Sequence, residues 1–404
     1  MSSLAHILLD KGYEVVGVDT CNYVYTEDSL FKRNVIIKGF NELNINQDDI
    51  LIYGHSFKEN EEVIKGKKIC NLSYEYHEYV NKLASESKLS IAIAGSHGKT
   101  YTTGLISYIL SKLGNVSYLI GDGEGRYINN DVFVFEACEY QDHFLIYHPD
   151  ISIILNIDYD HSDYFNSIEQ YKESFSKFVS NSKKVILNSD DVNIRSLDVK
   201  DAFYFSLSLI KDLKLTNNGY SFKLNNTQIN TNVYGEKHIL NILSLITLCD
   251  YLGIEKNEYI HYIKEFSGVK RRFRETIING DIYIDDYAHH PSQIKYTLEM
   301  IKNKYPDKEL VVFFKPDRIS RFLTFYKQIA TSLNSADYVV VMENSSGNEK
   351  IEIDLLLNEN KDKFNKYSRT EIKKVKEKKN KVVVTLSSKS MNEVYENIFI
   401  NTIL

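Results

Sequence analysis

Ser90-Ile-Ala-Ile-Ala-Gly-Ser-His-Gly-Lys-Thr-Tyr-Thr-Thr-Gly104 is the stretch of sequence that decides the fold. Its apolar start, residues 90–94, predicts a buried strand. A glycine-bounded turn over 95–98 follows, and the apolar spacing beyond it predicts a helix over 99–113. A strand, a glycine turn and a helix in this order form a phosphate-binding loop, because backbone N–H groups and the helix N-terminus attract phosphate oxygens.

The residues of this turn predict individual roles at a nucleotide site. Lys99 is expected to reach the β- and γ-phosphates, and the hydroxyl of Thr100 to hold Mg²⁺. Ile93 stands where the first glycine of the complete phosphate-loop pattern belongs. An ordinary glycine-rich turn between a strand and a helix therefore stays the alternative. The candidate backbone cradle consists of Gly95, Ser96, His97 and Gly98.

The composition is that of a globular protein whose 404 residues suffice for two or three domains. No apolar run approaches the roughly 18 residues that a membrane span needs. The net charge of −6 argues against a general nucleic-acid binder. The four cysteines form no CxxC cluster, which indicates a reducing compartment without disulfides or a zinc site of that kind. We therefore expect a cytoplasmic protein that binds neither nucleic acid nor a membrane.

Residues 1–88 alternate predicted helices and strands, which is typical of a doubly wound parallel sheet. Such a sheet normally begins with a strand and a glycine turn, whereas this sequence begins with a helix. We therefore expect that a first strand is missing at the front. The predicted elements are a helix over Leu4–Leu9, strands over Glu14–Asp19, Asp49–Tyr53 and Ile64–Leu72, and a helix over Tyr74–Leu83.

Two further predicted strands carry candidate metal ligands near their ends. The strand Asp131–Ala137 places Glu136 near its carboxyl end, where open α/β sheets bind ligands, so Glu136 is a candidate partner for Mg²⁺. The strand Ile151–Asn156 leads into a segment of acidic residues with His161, which could complete a second metal position. A solvated glutamate and a histidine without a metal are the alternatives.

The last third of the chain predicts another α/β unit. A basic segment, Gly268-Val-Lys-Arg-Arg-Phe273, precedes a strand over Ile282–Asp286 and the segment Tyr287-Ala-His-His-Pro291. A later strand leads into Lys315-Pro-Asp-Arg-Ile-Ser-Arg321. The lysine-rich segment over 361–381 is interpreted as a solvated surface.

Together these motifs resemble the Mur ligases, the ATP-dependent enzymes of peptidoglycan precursor synthesis, along nearly the whole chain. The resemblance implies three α/β domains. These are an N-terminal Rossmann-like UDP-sugar domain over 1–88, a central P-loop ATPase-like domain over 89–267, and a C-terminal Rossmann-like amino-acid domain over 268–404. The motifs that carry it are Ala94–Thr100, Glu136-Ala-Cys-Glu139, His148–Ile151 with Asn156–His161, Gly268–Phe273 and Asp285–Pro291.

The resemblance also implies cofactors, substrates and site residues. It implies ATP and Mg²⁺ and, in the alanine-adding branch, UDP-N-acetylmuramate and L-alanine joined through an acyl phosphate. The implied Mg²⁺ ligands are Thr100, Glu136 and His161. The implied nucleotide-binding residues are those of the cradle together with Lys99, Thr100, Asn241, Arg272 and Asp286. The implied catalytic residues are Lys99, His161, His289, Arg318 and Arg321.

Several positions depart from the family pattern. Phe175 stands where most Mur ligases have a carbamoylated lysine, which agrees with the alanine-adding branch. Lys237-His238 replaces the usual His-Asn, Asp317 replaces a histidine, and the segment over 386–390 lacks glycines. Two other functions therefore stay open: a sister ligase that adds a peptide or glutamate, and a catalytically weakened paralogue that binds nucleotide.

Overall fold

The computed structural model describes residues 1–20, 25–344 and 351–399, so Cys21 lies outside the described part. The chain forms two compact units. The first comprises Met1–Asp158, Glu169–Leu207 and Asn241–Ile263, and the second comprises Tyr159–Ile168, Ser208–Leu240 and Lys264–Leu404. Within the described residues, no helix is both long and apolar enough to cross a bilayer.

The N-terminal stretch alternates helices with parallel strand pairs, as the sequence predicts. Strand β1 pairs with β2 and strand β3 pairs with β4, and both pairs are parallel. The elements are α1 (Ser2–Asp10), β1 (Val16–Val18), α2 (Asp28–Phe31), β2 (Ile36–Lys38), β3 (Ile50–Tyr53), α3 (Glu61–Ile69), β4 (Leu72–Glu75) and α4 (Tyr76–Glu86).

The strand predicted over Ile64–Leu72 is wrong, because most of this stretch belongs to helix α3. Asn60 caps the helix, and its side chain accepts a hydrogen bond from the backbone N–H of Glu62 at 2.9 Å. Two glutamates lie in the first turn and two lysines in the last, which suits the helix dipole. These end signals outweigh the apolar residues, and strand β4 begins only at Leu72.

A seven-stranded sheet forms the centre of the first unit. Its strand order is β11-β10-β9-β5-β8-β6-β7, and only β7 runs antiparallel to its neighbour. Strand β5 lies between β8 and β9, so the residues that follow these three strands meet at one edge of the sheet. The elements are β5 (Leu89–Ala94), α5 (Lys99–Leu113), β6 (Ser117–Leu119), β7 (Gly125–Arg126), β8 (Val132–Glu136), β9 (Ile151–Ile154), α6 (Ile168–Ser180), β10 (Lys184–Asn188), α7 (Val192–Arg195) and β11 (Ala202–Phe205).

The remaining elements include a six-stranded sheet of order β15-β16-β20-β17-β18-β19 and a three-stranded antiparallel sheet that the sequence analysis did not predict. In chain order they are β12 (Ile210–Thr216), β13 (Gly219–Leu224), β14 (Thr227–Asn230), α8 (Glu236–Leu252), α9 (Lys256–Ile263), β15 (Arg274–Ile278), β16 (Asp281–Asp286), α10 (Pro291–Lys304), β17 (Glu309–Phe314), α11 (Ile319–Leu333), β18 (Tyr338–Val341), α12 (Asp354–Leu357), β19 (Phe364–Lys366), α13 (Arg369–Glu377), β20 (Lys381–Leu386) and α14 (Asn392–Phe399).

The central strands β17 and β20 of the six-stranded sheet are buried on both faces, as is usual for parallel strands covered by helices. Alternate residues of β17 enter two different cores: Val312 packs on one face, and Val311 and Phe313 pack on the other. The solvated surface predicted over 361–381 is wrong in part. Within this segment Val375 is fully buried, and the buried Lys381 pairs with Asp281 at 2.5 Å.

Phe175, at the position where the family resemblance implies a modified lysine, lies in the aromatic core beneath the seven-stranded sheet. Its side chain is fully buried, and its ring centroid lies 5.2 Å from those of Phe144 and Tyr171. Both contacts are edge-on, the arrangement that aromatic quadrupoles favour. This position is therefore a packing position.

We expect Phe175→Ala to lower the free energy of unfolding by about 3–5 kcal/mol, because the truncation removes buried aromatic surface and leaves a cavity. Chemical denaturation followed by circular dichroism measures the change. Val192→Ala, at a site that is 66% exposed, is the control and is expected to change stability by no more than about 0.5 kcal/mol. Equal stability of the two variants would contradict the packing role.

Candidate active site

The phosphate loop has the backbone conformation that a cradle requires. Gly95 and Gly98 have φ values of 140° and 86°, a region that L side chains rarely adopt. A Cβ on Gly95 would lie 3.1 Å from the Cβ of Leu155, so the neighbouring chain also leaves little room there. Helix α5 begins directly after Gly98, and the N–H groups of its first turn lack intrahelical partners. This turn therefore presents backbone donors and the positive end of a helix dipole.

Asn156, which follows β9, stabilises the phosphate loop through hydrogen bonds. Its side-chain oxygen accepts a hydrogen bond from the backbone N–H of His97, and its amide nitrogen donates to the carbonyl of His97, both at 2.9 Å. Its backbone carbonyl accepts from the N–H of Ser96 at 3.1 Å. Three hydrogen bonds thus fix the middle of the turn from the neighbouring strand, a role that the sequence analysis did not predict.

Lys99 is held beside the turn by a buried ion pair. Its ammonium lies 2.7 Å from Oε2 of Glu139, whose side chain is only 1% exposed, and it also donates to the carbonyl of Gly95. The other carboxylate oxygen of Glu139 accepts a hydrogen bond from the hydroxyl of Tyr171 at 3.3 Å. Burial alone would lower the pKa of Lys99, but the carboxylate outweighs it and the pKa is raised. Lys99 is therefore a fixed positive charge at the loop.

Thr100 and Glu136 bring two oxygen ligands together. The hydroxyl of Thr100 donates to Oε2 of Glu136 at 3.2 Å, and the other oxygen of that carboxylate accepts from the backbone N–H of Gly121. A hydroxyl beside a carboxylate is a hard-oxygen donor set, which suits Mg²⁺. The residues present therefore fit the predicted ion, although its binding stays a prediction.

Two other predicted residues of the first unit lie at the same loop. The side chain of Asn241, on helix α8, is close enough that a Cβ on Gly98 would meet its oxygen at 3.4 Å. The ring of His97 pairs with Asp158, with 2.9 Å between Nε2 and Oδ2. The structure thus brings the cradle, Lys99, Thr100, Glu136 and Asn241 together at the edge of the sheet.

In the second unit, Arg321 is clamped between two carboxylates. Its guanidinium donates to both oxygens of Asp160 at 3.0 and 3.2 Å and to both oxygens of Asp317 at 3.0 and 2.8 Å. All three side chains are less than a tenth exposed. Although burial opposes ionisation, Arg321 keeps the pKa of Asp160 well below its usual range. Arg321 is therefore a buried arginine whose guanidinium is hydrogen-bonded to carboxylates on two sides, and it forms a structural centre of this unit.

His161 and Arg318 lie near this centre. His161 has a left-handed backbone with φ of 55°, and its Nε2 lies 4.0 Å from Asp160. Arg318 precedes helix α11, and its guanidinium lies 3.6 Å from Asp163. Thr100 and Glu136 belong to the first unit, so a metal position shared by His161 with these two residues stays a prediction.

His289 is buried in a neutral state. Its Nδ1 lies 2.9 Å from the carbonyl of Tyr287 and donates to it when the ring is neutral. Burial and the nearby guanidinium of Arg321 lower its pKa to about 3, although Asp317 and Asp160 act in the opposite direction. A group with so low a pKa is a weak general base at neutral pH. The geometry favours a role in positioning over proton abstraction.

Arg272 and Asp286 lie in the basic segment and the strand that follows it. The guanidinium of Arg272 is 4.4 Å from the ring centroid of Tyr287. Asp286 accepts hydrogen bonds from the backbone N–H groups of Phe273 and Ala288 at 2.7 and 2.8 Å, while burial raises its pKa. Asp286 thus fixes the connection between the segment and strand β16, and its contact with nucleotide stays a prediction.

Arg271 connects the basic segment Gly268–Phe273 to the end of strand β20. The sequence predicted a site residue at Arg272 and not at Arg271. Its guanidinium donates to the carbonyls of Ser387 at 2.9 Å and Lys389 at 2.8 Å and pairs with Asp285 at 3.1 Å. Its side chain is 11% exposed. The preference for Arg272 came from the family pattern, and no local signal in the sequence distinguishes the two adjacent arginines.

We expect Glu139→Gln to destabilise the protein by about 3–5 kcal/mol, because it leaves the ammonium of Lys99 buried without its counter-charge. The double variant Lys99→Met/Glu139→Gln is expected to lose less than the sum of the two single variants, with a coupling of about 0.5–3 kcal/mol. A double-mutant cycle in denaturant measures this coupling. Additive losses would show that the two side chains act independently.

We also expect stability to fall on acidification because of His289. Its pKa is about 6.5 when unfolded and about 3 when folded, so its contribution is complete above pH 6.5 and is lost as the pH falls toward 3. One proton changes the free energy of unfolding by at most about 1.4 kcal/mol per pH unit. His289→Gln should flatten the slope measured between pH 6.5 and 4.5. The exposed His261→Gln is the control, and an unchanged slope in His289→Gln would contradict the assignment.

Comparison with known proteins agrees with this geometry. The family model for the Mur ligase middle domain matches residues 93–249, and the model for the Mur ligase glutamate ligase domain matches residues 271–389. The UDP-N-acetylmuramate–L-alanine ligase of Lactiplantibacillus plantarum is 40% identical to this chain over 353 residues, which covers 84% of this chain and 81% of the relative.

Solved structures share the fold. UDP-N-acetylmuramate-alanine ligase MurC from Thermotoga maritima has a TM-score of 0.82 at 23% identity, covering 100% of this chain and 96% of its own. The MurF ligase of the same organism, solved in complex with ADP, has a TM-score of 0.68 at 18% identity and covers 88% and 94%. The identity to the L. plantarum enzyme extends over most of both chains, and both family models match. This chain therefore belongs to the Mur ligase family.

Proposed function

We propose that this chain ligates L-alanine to UDP-N-acetylmuramate at the expense of ATP, through an acyl-phosphate intermediate. The observation that carries the proposal is the 40% identity to a UDP-N-acetylmuramate–L-alanine ligase over 84% of the chain. The geometry of the phosphate loop supports it, since Lys99, Thr100 and Glu136 converge there. The similar MurF ligase solved with ADP supports the use of a nucleotide.

The first half of the reaction needs positive charge at the transferred phosphoryl group. A carboxylate is a poor acyl donor, and its conversion to an acyl phosphate moves the γ-phosphoryl group of ATP. Lys99, fixed by Glu139, supplies a preorganised charge at the loop, and the helix N-terminus adds to it. Thr100 and Glu136 would hold Mg²⁺, which neutralises phosphate charge when bound.

The second half of the reaction joins the amine to the activated carboxyl group. The amine of L-alanine attacks the acyl phosphate, a tetrahedral intermediate forms, and phosphate leaves. Arg321 is fully engaged by Asp160 and Asp317, whereas the side chain of Arg318 is 43% exposed. We therefore assign the contact with a substrate anion to Arg318, and the positioning of the surrounding segments to Arg321 and His289.

The other assignments in this proposal rest on the sequence. Residues 1–88 are proposed to bind the UDP-sugar, residues 89–267 ATP, and residues 268–404 the amino acid. His161, Asn241, Arg272 and Asp286 are proposed to contact the metal or the nucleotide. A cytoplasmic location and the absence of nucleic-acid and membrane partners stay predictions from composition.

We expect phosphate release to require ATP, Mg²⁺, UDP-N-acetylmuramate and L-alanine together. Lys99→Met should lower kcat by about 100-fold or more, because loss of a preorganised charge costs on the order of 3 kcal/mol in the transition state. Lys112→Met, on the exposed side of the same helix, is the matched control and should keep full activity. Circular dichroism checks that each variant is folded.

The same assay separates the alternatives. Faster turnover with a tripeptide or with glutamate as the acceptor would identify a sister ligase. Nucleotide binding without ligation by any acceptor would identify a weakened paralogue. Full turnover by Lys99→Met would contradict the proposed role of the Lys99 charge in phosphoryl transfer.

A further inference from the structure

A cluster of imidazole and carboxylate groups lies in the first unit, apart from the residues that form the phosphate loop. It consists of His55, Glu75 and His143, and we call it the His55–Glu75–His143 cluster. Its three donor atoms, one from each residue, all lie within 4.8 Å of one another. The proposed ligation chemistry uses none of these residues.

Three separate elements bring the cluster together. Glu75 is the last residue of β4 and pairs in register with Tyr53, the last residue of β3, so that His55 follows at the same edge of this parallel pair. The carboxyl edge of parallel strands is where open α/β sheets bind ligands. His143 comes from the segment that follows β8 of the large sheet.

The backbone next to Glu75 and next to His143 restricts the positions of these two side chains. Glu75 precedes helix α4, and its own backbone N–H donates to the carboxylate of Glu78 at 2.6 Å. Gln141 and Asp142, just before His143, have left-handed φ values of 53° and 60°. Non-glycine residues in this conformation carry strain, and such strain is concentrated at functional sites. The turn that presents His143 is therefore specified by its surroundings.

The carboxylate of Glu75 is the shared contact of the two histidines. Its Oε1 lies 2.9 Å from Nδ1 of His55 and 3.9 Å from Nε2 of His143. Within the described part of the chain, Nε2 of His143 is buried and has no hydrogen-bond partner. A buried imidazole nitrogen without a hydrogen bond costs free energy, and a bound cation would satisfy it.

An aromatic neighbour holds the ring of His143 in place. The ring of His77 stacks on it with 4.1 Å between centroids, and Nδ1 of His77 lies 2.8 Å from the hydroxyl of Tyr147. The stacking on His77 therefore restricts the orientation of the His143 ring.

We propose that the His55–Glu75–His143 cluster binds a divalent transition-metal ion of the Zn²⁺ class, through Nδ1 of His55, a carboxylate oxygen of Glu75 and Nε2 of His143. Two imidazoles and one carboxylate form a donor set typical of Zn²⁺, which leaves a fourth position for water or another ligand. Mg²⁺ prefers oxygen donors, so this site differs in chemistry from the Thr100–Glu136 pair. Metal–ligand bonds of about 2.0–2.2 Å require side-chain shifts on the order of 1 Å.

The site would join parts of the first unit that are distant in sequence. An ion bound there links the β3–β4 pair to the segment after β8, which begins directly after Glu136 and carries Glu139. Because the ion binds the folded state through all three elements, it should raise the unfolding temperature as its concentration rises.

The test uses the full chain after treatment with a chelator, titrated with ZnCl₂ against a chromophoric zinc chelator. We expect one equivalent to bind, and excess MgCl₂ to leave the binding unchanged. His143→Gln and His55→Gln should each weaken the affinity at least tenfold and abolish the rise in unfolding temperature. His148→Gln, an exposed histidine five residues beyond His143, is the matched control and should bind as the unmodified chain does.

Anomalous diffraction at the zinc edge locates the ion, and thermal unfolding without metal shows that each variant is folded. A peak between His55, Glu75 and His143 would support the proposal. Absence of binding, an unchanged affinity in folded His143→Gln, or a peak at another group would overturn it. None of these readouts depends on ligation, so the outcome is separate from that of the proposed function.

Discussion

The ion pair between Lys99 and Glu139 is the constraint on which the rest of the phosphate loop depends. An ammonium and a carboxylate are both withdrawn from water, so each needs the other at close range. Because Lys99 follows β5 and Glu139 follows β8, the pair joins the ends of two adjacent strands. It also sets the electrostatics of the site. An anion that approaches Lys99 also meets the negative charge of Glu139, which favours a ligand that brings its own cations, such as a metal-bound triphosphate.

The loop itself could be predicted from the sequence because its signals are local. An apolar run, a glycine turn and helical spacing fixed β5 and α5 to within one residue, and Glu136 was predicted from its position at a strand end. Glu139 could not be assigned in the same way. Glu136 and Glu139 are only three residues apart, and the sequence does not show which of the two carboxylates pairs with Lys99. The strand predicted over Ile64–Leu72 failed for the opposite reason, because the capping side chain of Asn60 and the charges at the helix ends outweighed a run of apolar residues.

The second unit shows what a sequence pattern leaves out. Arg321 was predicted as a catalytic residue, yet its guanidinium is bound by Asp160, 161 residues away in the chain, and by Asp317. Asp317, noted only as a departure from the family pattern, supplies the second of these two carboxylates. The charge of Arg321 is thus compensated by one carboxylate from its own helix region and one from a distant part of the chain. Such compensation depends on tertiary contacts and cannot be read from spacing.

Strand β8 and the segment that follows it carry ligands of both metal sites proposed for the first unit. Within eight residues this part of the chain supplies Glu136 to the proposed set of hard oxygen donors, Glu139 to the buried lysine, and His143 to the proposed set of imidazole donors. The oxygen donors suit an ion that exchanges with nucleotide, whereas imidazole donors hold a softer ion more firmly. All three side chains leave one short stretch of chain, in which Gln141 and Asp142 have left-handed backbone conformations. Along the chain, Glu139 and its ion pair with Lys99 thus separate the ligand proposed for Mg²⁺, Glu136, from the ligand proposed for Zn²⁺, His143.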